Sequence, residues 1–281
     1  MWRRVLIPVL LLLLLGLSAS FAFQRRGGGG REFGGGGGRG FGFSEDNPSA
    51  IPPDANEKTE FFWTRLRYQD FTGGYGRRGG FGRSWATDYP KDDRQFLQGV
   101  RRLTILHARS MEQVVDLETD DIFNYPMVYA VEVGHWQLSD AEALKLREYL
   151  DRGGFLMVDD FHGEYEWQVF MLGLSKVFPD RSVVEIDSKD PIFHVLYDLD
   201  QRYQIPGLAA LYRGVTWERD DGVVPHWRGV YDDKGRLQVA ITFNQDLGDA
   251  WEWADRPDYP VEFASQAYQI GINYILYSMT H

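Results

Sequence analysis

The stretch PMVYAVEVGHWQLSDAEALKLREYLDRGGFLMVDD, residues 126–160, decides the fold. Its first eight residues form a near-continuous apolar run, the pattern of a strand buried on both faces of a sheet. Ser139 followed three residues later by Glu142 makes a capping box, and Ala143, Leu146 and Leu150 recur on one helical face. Gly153-Gly154 stops that helix, and FLMVDD supplies a second buried strand. Two buried strands joined by a crossover helix form a βαβ unit, which closes right-handed with its strands parallel.

The same alternation extends in both directions. FFWTRLRYQDF (61–71) reads as a first strand, and a helix is expected from Lys91 to Leu103. WQVFMLGLSKVF (167–178) reads as a helix and SVVEID (182–187) as a strand. GVYDDKGRLQVAITF (229–243) reads as a hairpin turning at Asp233-Lys234-Gly235, and a closing helix covers about 261–278. The expected architecture is α/β: a three-layer sandwich with a mostly parallel sheet, plus a β-hairpin insertion near the C-terminus.

Residues 1–22 read as a signal peptide: Arg3 and Arg4, an apolar run from Val5 to Leu17, then Ser20-Phe21-Ala22 as a small-x-small cleavage site. The apolar run is short for a span, which needs about 20 residues. The expected location is therefore exported, either periplasmic or membrane-tethered facing outward, with any membrane contact made only through an uncleaved N-terminal segment. Residues 23–58 are a Gly-rich flexible linker, since such a composition buries too little apolar surface to offset ordering. Residues 59–281 form a single α/β domain, long enough to bury its own core.

Composition excludes several classes. The chain has no cysteine, which removes disulfides, Cys-ligated zinc and every thiol nucleophile. Its formal net charge of −11 speaks against a nucleic-acid partner, which calls for a basic footprint. Gly74–Gly79 spells GxGxxG after a strand, but more glycine and then Pro90 follow where a dinucleotide fingerprint needs a helix. The Gly-rich loop 72–84 reads instead as a lid or spacer.

In open α/β sheets, ligands sit beyond the carboxyl ends of the strands. That rule gathers Asp70, His135, Trp136, Asp160, His162, Asn244, Asp246, Asp249 and Trp251 as candidate ligand-binding residues. Asp160, His162 and Asp246 are the candidates for catalysis and for holding a metal. Carboxylates with one imidazole suit a divalent cation, although the spacing matches no defined metal motif and no other cofactor is expected. Trp251 and Trp253 beside Glu252 have the look of a sugar-gripping pair. Each group also has an ordinary reading. Asp160 can cap the helix behind it, Asn244, Asp246 and Asp249 can close a turn, and tryptophans usually pack in cores.

GGFLMVDDF, the segment NQDLGDAWEW (244–253) and the closing GINYILYSMTH together resemble an uncharacterised bacterial family catalogued as domain of unknown function 4159. The resemblance covers roughly Glu60 to His281. It implies a flavodoxin-like fold similar to class I glutamine amidotransferases and to the ThuA-like sugar-associated proteins, and it brings no activity. The place comparable to the amidotransferase nucleophile holds Asp160-Phe161-His162, so cysteine-based glutaminase chemistry is excluded. The expected function is that of a non-catalytic accessory protein of the cell envelope, binding a small-molecule or saccharide ligand or an envelope protein. The alternative is a hydrolase of saccharide-like substrates using strand-end carboxylates, with or without a divalent cation.

Overall fold

A computed structural model describes residues 51–70 and 84–281. The signal peptide, most of the linker and the Gly-rich loop with its GxGxxG lie outside the described residues. Seven strands form one sheet: β1 (Thr64–Arg67), β2 (Gln113–Asp116), β3 (Met127–Val131), β4 (Phe155–Asp159), β5 (Val184–Glu185), β6 (His226–Tyr231) and β7 (Leu237–Phe243). Their order is β2-β1-β3-β4-β7-β6-β5. The neighbours from β2 through β7 pair parallel, while β6 runs antiparallel to β7 and β5 antiparallel to β6. The result is an α/β fold on a mixed, mostly parallel sheet.

The helices are α1 (Lys91–Leu103), α2 (Asp140–Asp151), α3 (Gly163–Val177), α4 (Leu208–Tyr212), α5 (Leu247–Glu252) and α6 (Val261–Thr280). Ser139 and Glu142 make the reciprocal capping box at the start of α2. Side chains of β3 and β4 alternate between two cores. Met127, Tyr129, Val131, Phe155 and Met157 join one with residues of α1, α5 and α6. Val128, Ala130, Leu156 and Val158 join the other with residues of α2 and α3. A strand buried on both faces needs apolar side chains in both registers, which is why these two read as unbroken runs.

Two stretches are shorter or wider than their sequence suggests. Only Thr64–Arg67 of the 61–71 run pairs as a strand, with isolated bridges at Phe61 and Asp70. At the other border, the Asp54 carboxylate accepts hydrogen bonds from Ser110 and Arg101, and Arg109 donates to the Ala55 carbonyl. Residues 52–57, part of the stretch read as linker, thus lie against the domain. Among the described residues no helix is long and apolar enough to cross a membrane.

A buried ion network fixes the approach to α1. Arg65 on β1 is fully buried and paired with Asp92 and Asp93 in the first turn of α1. Its guanidinium also donates to the carbonyls of Trp85 and Thr87. This pins residues 84–93, and with them Asp88, over the carboxyl end of β1.

Candidate functional site

Among the described residues, four other than glycine have a left-handed backbone: Asp88 (φ 60°), Glu132 (φ 51°), Asp160 (φ 54°) and Asn244 (φ 61°). Glu132, Asp160 and Asn244 directly follow β3, β4 and β7, three adjacent parallel strands. Such backbone is rarely populated, and Asp and Asn tolerate it best because their short side chains bond locally. Here it lets each strand turn sharply at the sheet edge. The turns interlock, since the Glu132 N–H donates to the carbonyls of Asp159 and Asp160 and the Asn244 N–H to that of Phe161.

The polar residues at this edge divide by the work they do. Asp159 is structural: its buried carboxylate accepts from Tyr129, Thr242 and the Leu247 and Gly248 amides. Burial still raises its pKa to about 6, with those four bonds working against the rise. Asp246 caps α5 by accepting from the Asp249 amide, and Asp249 accepts from the Leu208 amide and the Trp253 indole. Asn244 accepts from the Gly163 amide and donates to the Val224 carbonyl. Only Asp246 thus bonds its own turn; Asn244 and Asp249 bond backbone distant in sequence.

Asp160 does not cap α3. The first amides of that turn go elsewhere: His162 N–H to Glu166, Gly163 N–H to Asn244 and Glu164 N–H to Asp221. The Asp160 carboxyl, only 5% exposed, keeps one contact, Oδ1 at 3.2 Å from His162 Nε2. That imidazole is equally buried, its Nε2 lies 3.9 Å from Glu218, and its Nδ1 has no partner.

Around Asp160 the carboxylates crowd. Donor atoms of Asp160, His162 and Glu218 lie within 4.8 Å of one another, as do those of Asp88, Asp160 and Asp246, and those of Asp88, Asp249 and Glu252. Two basic side chains act on the set: Lys91 lies 3.9 Å from Glu252, and the Arg65 guanidinium acts on Asp88. Burial first, and then neighbouring carboxylates, push Asp88, Asp160 and Asp246 well above the usual range. The same causes push Glu252 to about 9. The arrangement can hold protons, gather a cation, or offer acceptors to a hydroxyl-rich ligand.

Of the residues singled out in the sequence, Asp160, His162, Asp246 and Asp249 come together here. Asp70 lies apart, its carboxylate accepting from Ser84 N–H and Oγ. Trp251 is completely buried, stacked on Phe96 with Trp63 and Tyr129 against it, so it offers no face to a sugar. Trp136 is stacked on Phe170 and donates to its carbonyl. With His135 it lines a separate groove of about 900 Å³ between α2 and α3, shared with Leu138, Leu172 and Lys176. Asp88 and Glu218, by contrast, carry no sequence signal. Each sits on an irregular segment that only the folded chain brings to the strand ends.

The family model described as Domain of unknown function (DUF4159) matches residues 64–279, from β1 to the last turn of α6. No curated protein matches the chain.

Proposed function

The chain belongs to the DUF4159 family, and on that premise we propose that its strand-end crevice is the ligand-binding site of an amidotransferase-like domain without the catalytic cysteine. Its role is that of an exported accessory protein of the cell envelope, and its ligand is saccharide-like. The observation that carries the reading is Asp160: a buried carboxyl on a strained strand-to-helix turn, released from helix capping and aimed at a cluster of acceptors. Clustered carboxyls and an imidazole suit vicinal hydroxyls, which donate two hydrogen bonds at once. The finer description of the fold belongs to the same proposal. A parallel order β2-β1-β3-β4-β7 supports a flavodoxin-like core, and the antiparallel β6–β7 pair supports a hairpin insertion.

The test is binding of envelope-derived oligosaccharides to the full chain, read by calorimetry. The expected result is saturable binding that Asp160→Ala abolishes while the melting temperature is kept. Loss of both together would make Asp160 a structural residue and end the reading.

One observation favours a hydrolase as the second reading. Asp160 and Asp246 present oxygens to one point, and burial keeps both carboxyls protonated above the usual range, as a general acid requires. Release of reducing ends from the same oligosaccharides, lost in Asp246→Asn, separates it from simple binding.

A further inference from the structure

We propose that the crevice is a divalent-cation site held by Asp160, His162 and Glu218, and that Mn²⁺ is the ion it fits best. The proposal rests on the crevice being a binding site and adds the ion through which it binds.

Two observations beyond the grouping of carboxylates point to an ion. The first is Asp160. Nine-tenths of it is buried, and the three amides at the start of α3 that it could cap each bond to another side chain. Outside the cluster its carboxyl has no partner among the described residues. The second is His162. A buried histidine in a purely structural role bridges two protein groups, one on each ring nitrogen. Here Nε2 faces Asp160 and Glu218, while Nδ1 is buried without a partner among the described residues.

Asp160 belongs to two of the overlapping groups, one with His162 and Glu218 and one with Asp88 and Asp246. The two sets do not close into one group, and the ion is assigned to the one that carries the imidazole. The donor set selects the metal class. Carboxylate oxygens favour Mg²⁺, Ca²⁺ and Mn²⁺, and the imidazole shifts the preference toward Mn²⁺.

The experiment uses the full chain, stripped with a chelator and desalted. Mn²⁺ is titrated in, and its free hexaaqua signal is followed by electron paramagnetic resonance alongside thermal melts. The expected result is one saturable ion per chain and a rise in Tm of about 5–10 °C at about 100 Kd. Asp160→Asn should lose both responses. Because the amide keeps the shape of the carboxyl and cannot ionise among its acidic neighbours, the variant should also melt no lower than the stripped parent, so the loss is not unfolding. His162→Gln should weaken binding about tenfold or more, and Asp180→Asn, a surface residue paired with Arg147, should change nothing. A free-ion signal at every protein ratio would overturn the proposal, as would undiminished binding in Asp160→Asn. The ligand reading is scored separately. Oligosaccharide binding that persists in the stripped chain sinks the ion and keeps the ligand, and ion uptake without oligosaccharide binding does the reverse.

Discussion

At the scale of single residues, the site is defined by carboxyls that the fold holds in an unfavourable state. Folding buries Asp160 and Glu252 beside other acids, so the native chain holds their protons more tightly than the unfolded chain does. The sign of the pH effect follows. A raised carboxyl contributes stability that is fully present below the unfolded value, about 4, and is lost as pH rises through the folded value. Asp159 at about 6 and Glu252 at about 9 mark the window. The stripped chain should therefore melt progressively lower from pH 5 to pH 9. Glu252→Gln should flatten the upper part of that decline, because the amide has no proton to lose. Circular-dichroism melts across that range check it, and a Tm that rises with pH would contradict the crowding described here. Aromatic residues teach the opposite lesson at this scale. Trp251 next to Glu252 reads as a ligand platform in sequence, yet its indole fills the space between Phe96 and Trp63. Side-chain burial is set by elements far away in the chain, and a local pattern cannot report it.

At the scale of elements, legibility tracks how much of the signal is local. The unit β3–α2–β4 could be read directly because each piece carries its own mark: an apolar run, a capping box, a double-glycine stop. β2 could not, since QVVD is a four-residue edge strand with only two apolar positions. α3 begins at Gly163, four residues before the start its apolar pattern suggests. The caps that extend it come from Asn244 and Asp221, which are distant in sequence. The site behaves likewise: Asp160, His162 and Asp246 were legible from the strand-end rule, whereas Asp88 depends on the Arg65 network. That network makes a prediction of its own. Arg65→Met would leave Asp92 and Asp93 buried without their counter-charge, at a cost of about 3–5 kcal/mol. Urea unfolding measures the loss. Because the same arginine holds the Trp85 and Thr87 carbonyls, the variant should also weaken ligand uptake beside Asp88 under conditions where it remains folded.

At the scale of the whole molecule, both ends of the described chain lie opposite the crevice. Residues 52–57 pack beside Arg101, in the last turn of α1, and Ser110. The chain then bridges Phe61 to Ala108 at the amino end of β1. α6 closes beside the amino end of β7, where the Tyr277 hydroxyl accepts from the Leu237 amide. The parallel strands all run from that edge to the one carrying Glu132, Asp160 and Asn244, so the sheet separates attachment from recognition. A chain held through its N-terminal segment or through His281 should therefore leave the crevice accessible. Immobilising it through a biotinylated N-terminus, and separately through the C-terminus, should leave Mn²⁺ and oligosaccharide affinity within about twofold of the free chain, a change of under ~0.5 kcal/mol. Attachment at an introduced cysteine in place of Glu164, beside the start of α3, should lower both. Equal loss from all three attachments would mean that the recognising surface is not at the strand ends, and the Asp160 cluster would then be only a site of stored repulsion.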